Sequence, residues 1–316
     1  MIPGLWTIEA NYLAGLTRRL ESADLSTFAA APGPAAAGYQ TDAAGVAVIN
    51  ISGVMLAGEA LIDRVIAQLF GATLTPSVSR ALESAAADPA VRAIVLHVDS
   101  PGGQSNGVQE LAAAVRSATS RKPVLAHVGS MAGSAAYWAM SGASLIAAGP
   151  GSEVGSIGAY AVVWDESAAA AAAGIKVHVI SSAPPLKGAG VEGTEISAEQ
   201  ISEWKRRIDD LAALFVAEVA IGRRRAQYEV RASATGQLWL GPEAKRRGLV
   251  DRILEFGDVM EAARGGAPAT GGGSPYERLS AAAKAAGLDV VDYCRTPEGA
   301  QAYRTYREEL LAGQRS

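Results

Sequence analysis

The chain has 316 residues, of which 49% are hydrophobic, 19% charged and only 6% aromatic, so it can bury one substantial core or two small ones and is not a disordered polymer. Its 28 Lys and Arg against 32 Asp and Glu give a net charge of −4, with no basic excess for gripping a phosphate backbone, so nucleic acid is not an expected partner. The single cysteine, Cys294, excludes an intramolecular disulfide, and three scattered histidines make no cluster of soft ligands, so neither metal nor cofactor is expected.

Three zones follow in chain order. Residues 1–43 are an N-terminal arm, with Trp6, Ile8, Tyr12, Leu13, Leu16 and Leu20 at helical spacing, followed by a loose APGPAAAG linker. The start lacks the charged end and apolar run of a secretory signal, and no apolar stretch reaches the roughly 18 residues of a membrane span. A soluble, intracellular chain is expected. Residues 44–258 alternate apolar runs with helical segments: VAVINIS, AIVLHVDS, VLAHVGS, SLIAAG and KVHVIS read as strands, mostly buried on both faces, which predicts a parallel α/β architecture. Ala168–Ala173 reads as the end of a packed helix stopped at Gly174. Ser197 with Gln200 forms a capping box opening a long amphipathic helix through Ile201, Trp204, Ile208, Leu211, Leu214, Phe215 and Val219. Its apolar stripe exceeds what a lone surface helix needs, so part of it is expected to pack on a neighbouring subunit of a homo-oligomer. The preceding loop, SSAPPLKGAGVEGTEI, is too rich in Pro and Gly for regular structure and displays Lys187. Residues 259–316 comprise the linker GGAPATGGGSP and a polar helical tail over Tyr276 to Ala312, which contains Cys294.

Two strand-to-helix junctions could carry chemistry. In Asp99-Ser100-Pro101-Gly102-Gly103 the glycine pair lets backbone N–H groups face open space, as an oxyanion site requires, although a plain βα turn reads the same way. Neither GxGxxG nor GxxxxGK[ST] is present there, which excludes the common nucleotide cradles. In Gly129-Ser130-Met131-Ala132-Gly133-Ser134-Ala135-Ala136 small residues flank Ser134, leaving room for a substrate backbone beside its hydroxyl. A small-residue helix packed on the sheet fits the same pattern. Ser130, at a strand end, reads as an N-cap. A serine nucleophile needs a base. His97, His127 and His178 all fall inside predicted strands among apolar neighbours and read as structural, whereas Lys187 stands among apolar and small residues on its loop.

The blocks HVDSPGG, GSMAGSAAYW, GSEVGSIGAY, the lysine loop after KVHVISS, and GQLWLGPEAKRRGLVDRI together resemble, in order and spacing from Val46 to Ile253, the signal peptide peptidase A family of serine peptidases. The resemblance implies a ClpP/crotonase-like α/β fold and a Ser/Lys dyad, with Ser134 as nucleophile, Lys187 as general base, and the N–H groups of Gly103 and Ala135 as the oxyanion hole. Gly102, Gly155, Ser156, Ile157 and Gly158 correspond to segments lining the family's substrate cleft. Two positions depart from the family pattern: Ala135 and Ala136 replace a glycine pair, and Gly188 replaces an acidic residue after the lysine. The segment PGLWTIEANYLAGL resembles the start of phage head maturation proteases, which implies polypeptide substrates such as scaffold and capsid chains and action in the host cytoplasm or procapsid interior. A bacterial peptidase of the same family, a crotonase-type acyl-CoA enzyme and a non-catalytic assembly protein are the alternatives.

Overall fold

In the computed structural model of the protein, residues 6–8, 38–265, 275–288 and 290–313 are described. The elements are β1 (Trp6–Ile8), β2 (Gln40–Thr41), β3 (Val46–Ser52), β4 (Met55–Leu56), α1 (Leu61–Phe70), β5 (Thr73–Leu74), α2 (Thr75–Ala87), β6 (Ala93–Ser100), β7 (Gly102–Gln104), α3 (Val108–Thr119), β8 (Val124–Gly133), α4 (Ala135–Met140), β9 (Leu145–Ala148) and β10 (Glu153–Gly155). Then come α5 (Ser167–Ala172), α6 (Ala198–Arg223), α7 (Gln227–Arg231), β11 (Leu238–Leu240), α8 (Gly241–Arg246), β12 (Arg252–Ile253), α9 (Phe256–Ala263), and the tail helices α10 (Pro275–Ala285), α11 (Val290–Cys294) and α12 (Pro297–Gly313), which pack on one another.

The main sheet runs β11-β10-β8-β6-β3-β2, with β9 paired to β8 and β12 to β9. Its centre is parallel, and only β2 and β11 join antiparallel. Strand alternation sorts the side chains. Ile94, Leu96 and Val98 of β6, with Ala126 and Val128 of β8, enter the large core beneath α2, α3 and α4. Val95 and Leu125 point the other way, onto Val259 and Met260 of α9. The mixed α/β, mostly parallel sheet with flanking helices is the architecture expected from the sequence. A smaller sheet, β1-β7-β4-β5, stands beside it.

Four of the five predicted core strands form. The fifth, KVHVIS, does not: residues 176–181 have no ladder, and Ile180 is 98% exposed. Alternation alone cannot make a strand without a partner edge, and the free edge of β10 is already taken by β11. His178 therefore lies on an irregular segment, not in a strand. The alanine helix also differs from expectation, since α5 forms but buries none of its residues. At the N-terminus, Trp6 and Ile8 lie in strand β1 and not in a helix; Tyr12, Leu13, Leu16 and Leu20 fall outside the described residues.

Helix α6 begins at the expected capping box, with the Gln200 N–H donating to Ser197 Oγ at 3.2 Å. Its two halves differ. Ile201 and Leu214 are exposed, whereas Phe215, Val216 and Val219 are buried. Phe215 stacks on Trp138 of α4 with ring centroids 4.6 Å apart, and Glu218 pairs with Arg116 of α3 at 2.6 Å. Phe215→Ala removes a fully buried aromatic and leaves a cavity, so a loss of about 3–5 kcal/mol in unfolding free energy is expected from urea titration. A loss below about 1 kcal/mol would show that α6 is not docked in this way.

Candidate active site

The site is built where three neighbouring parallel strands end. Register pairs Ser100 with Ala132 across β6 and β8, and Gly155 with Gly133 across β10 and β8. The segments 100–103, 133–135 and 155–158 therefore emerge side by side at carboxyl ends of the sheet, where open α/β sheets place their ligand sites. Gly133 backs onto the Pro101 carbonyl, with space for a Cβ only 3.1 Å from that oxygen.

Sequence reading missed how the first segment is held. The fully buried Ser100 hydroxyl donates to the Gly53 carbonyl at 2.6 Å and accepts from the Gly102 N–H at 3.1 Å. Its place between Asp99 and Pro101 was the available signal, because serine commonly bonds the backbone two residues on. Gly102 and Gly103 do not form a bare turn. They form strand β7, and a Cβ on Gly103 would sit 1.9 Å from the Met55 carbonyl oxygen, so only glycine allows β4 to approach.

Ser134 follows β8 directly and precedes α4. It is 1% exposed and adopts φ 52°, ψ −118°, a conformation costly for a residue with a Cβ. The strain is held by its own N–H, which donates to the Gly155 carbonyl at 2.7 Å. Its hydroxyl does not cap the helix. Ala135 is the first residue of α4, and such a position has no intrahelical acceptor for its N–H. Ser156 repeats the unusual geometry with φ 50°, and its N–H donates to the Gln237 carbonyl at 2.7 Å. Buried Ile157 accepts from the Gly236 N–H, while the nearest atom to a Cβ on Gly158 is 4.0 Å away, leaving room beside the backbone.

The structure brings together Gly102, Gly103, Ser134, Ala135, Gly155, Ser156, Ile157 and Gly158. It does not bring Lys187 to them within one chain. Lys187 is exposed, and no hydrogen bond joins it to Ser134. Its neighbours Leu186, Gly188 and Ala189 line a cavity of about 100 Å³ with Gln200, Glu203, Trp204 and Arg207 of α6. Gln200 donates to the Pro185 carbonyl at 2.6 Å. Gly188 has φ +104°, and a Cβ there would lie 2.6 Å from Val179 Cγ1, so the acidic residue of the family pattern does not fit this loop conformation.

The other polar groups have structural roles. Ser130 is no N-cap, because β8 continues through it, and its hydroxyl donates to Asp99 at 3.3 Å. His97 and His127 share one hydrogen bond, Nδ1 to Nδ1 at 3.3 Å, beneath Phe256 of α9. His127 lies seven residues before Ser134 on an extended strand, roughly 20 Å away. Burial pushes its pKa down to about 4, with the His97 charge adding to the effect. Among the described residues no group of three or more His, Cys, Asp or Glu could hold a metal ion, and no helix is long and apolar enough to cross a membrane.

Ser134 thus stands strained at a strand end, beside glycine-lined backbone and the first N–H of a helix. Residues 116–269 match the profile of peptidase family S49. It is 31% identical over 217 residues to Protease 4 of Salmonella typhi, covering 68% of this chain and 33% of that protein. It is 26% identical over 265 residues to capsid assembly protease C of Escherichia phage lambda, covering 82% of this chain and 59% of that protein. The chain thus spans about a third of the length of the Protease 4 it matches. Among solved structures, a ClpP1 mutant from Listeria monocytogenes aligns over 66% of this chain and 91% of its own at 12% identity and a TM-score of 0.42.

Because His127 is held neutral, the unfolded chain binds more protons than the folded one between its ordinary pKa of about 6.5 and the folded value of about 4. Its contribution is therefore fully present above pH 6.5 and is lost as pH falls toward 4, by roughly 3 kcal/mol at most. Unfolding titrations at stepped pH are expected to show that slope, and His127→Leu to flatten it.

Proposed function

We propose that the chain is a serine endopeptidase working through a Ser134/Lys187 dyad. The observation that carries this reading is the left-handed Ser134 clamped to Gly155 beside the Gly102–Gly103 strand. Lys187 Nζ takes the Ser134 proton as Oγ attacks the scissile carbonyl carbon, and the oxyanion is received by the N–H groups of Gly103 and Ala135. Collapse expels the amine, which leaves with the proton from Lys187. Lys187 Nζ then takes a proton from a water that attacks the acyl-ester carbonyl, and gives it to Ser134 Oγ as the ester C–O bond breaks and the acid product leaves.

The dyad is completed by assembly. The segment bearing Lys187 exposes Trp164, Ile175, Val179 and Ile180, an apolar surface suited to a neighbouring copy. In that arrangement the lysine of one chain serves the serine of the next within a homo-oligomer. Ser134→Ala and Lys187→Ala are each expected to lower cleavage of an unfolded protein substrate at least about 10³-fold, while Ser130→Ala retains activity. Mixing the two inactive chains should restore part of it. Full activity in a monomer, shown by size exclusion at assay concentration, would overturn the shared site.

The substrates we assign are scaffold and capsid chains of a phage head. The lambda protein supports this, because the similarity to it extends over 82% of this chain. The higher identity to Protease 4 favours a second reading, a bacterial peptidase degrading unfolded or membrane-derived peptides. Mass spectrometry of products from capsid and scaffold chains against a generic unfolded protein separates the two. Deleting residues 266–316 is expected to leave cleavage of a small peptide within about twofold of the full chain, since the last core helix, α9, ends at Ala263.

A further inference from the structure

The strand that carries Gly102 and Gly103 is already occupied on its outer side. Strand β1 pairs antiparallel with β7, with Trp6 opposite Gln104, Thr7 opposite Gly103 and Ile8 opposite Gly102. On its other side β7 pairs with β4 through Met55 and Gly103. Without β1, β7 would be the edge of the smaller sheet, and a sheet edge of two glycines and a glutamine offers backbone groups with little side chain to obstruct an incoming strand. Such an edge recognises an extended polypeptide by main-chain pairing. The position lies against the nucleophile, because α4 packs on β7 and Gly133 backs onto Pro101.

We propose that residues 6–8 are a built-in competitor for substrate: the chain's own N-terminal strand holds the β7 edge until an extended polypeptide displaces it. This rests on the reading of Gly103 and Ser134 as the catalytic centre, for which Gly103 must turn its backbone to the substrate instead of to Thr7. The pairing is three residues long, too short to be stable on its own. Tethering holds it at an effective concentration on the order of millimolar, so it blocks weak encounters and yields to a substrate that pairs over a longer stretch. The apparent affinity for substrate is lowered in proportion to the fraction of chains with the edge vacant.

The test uses Thr7→Pro, which removes the backbone donor opposite Gly103, and a deletion of residues 1–9 as a second variant free of proline effects. In the Ser134→Ala background, hydrogen exchange over residues 102–104 should quicken at least threefold in both variants, and a synthetic peptide of residues 3–11 should restore protection. With Ser134 intact, both variants should show KM for an unfolded peptide lowered at least threefold at unchanged kcat, with the synthetic peptide acting as a competitive inhibitor. Unchanged exchange in both variants would overturn the proposal. So would faster exchange with unchanged KM, since the strand would then pair without competing. Faster exchange reversed by the peptide, in chains that cleave nothing with or without residues 1–9, would leave the edge occupancy standing and bring down the peptidase reading instead.

Discussion

One hydrogen bond organises the site: the Ser134 N–H to the Gly155 carbonyl. A serine at φ 52° would relax to an ordinary backbone unless its neighbours over-determined it. The over-determination comes from register. Gly155 stands opposite Gly133 because β10 lies parallel to β8, and β10 is fixed in turn by the antiparallel cover of β11. The same ladders bring the Ser100 turn alongside, so the glycine strand, the serine and the 155–158 segment are consequences of one pairing pattern.

The helices complete what the strands begin. Helix α4, which starts at Ala135, is held by Tyr137, whose hydroxyl donates to the Leu249 carbonyl at 2.8 Å, and by the Trp138 stack on Phe215. These contacts bind both flanks of a six-residue helix too short to be stable alone. The lysine segment has no such anchoring to the sheet. Its internal ties, from Ile196 N–H to Asp165 and from Gln200 to Pro185, close it on itself and on the start of α6.

Much of this was legible in the sequence because local patterns and tertiary demands agree. Apolar runs marked β3, β6, β8 and β9, the Ser197/Gln200 box marked the start of α6, and small residues marked Ser134. The failures have a common cause in partners distant along the chain. KVHVIS has the composition of a strand, but the edge it needed belongs to β11, more than fifty residues later. Trp6 and Ile8 sit at a spacing that serves helix or strand, and pairing with β7 decides the matter. The positive φ of Ser156 leaves little trace in sequence, because it depends on a carbonyl supplied from another element.

The division of α6 into a buried and a projecting half has a mechanical consequence. From Ala198 to Asp210 the helix extends roughly 20 Å beyond its packed end, which begins at Leu211. A continuous helix of this kind behaves as a stiff lever whose fulcrum is Phe215 and the Arg116–Glu218 pair. A tilt of about 5° at the fulcrum would sweep the Ser197 end through about 2 Å, several times the roughly 0.5 Å spread of hydrogen-bond distances. Placement of the lysine segment at the far end is therefore set by packing around Trp138, on the helix that begins one residue after the serine.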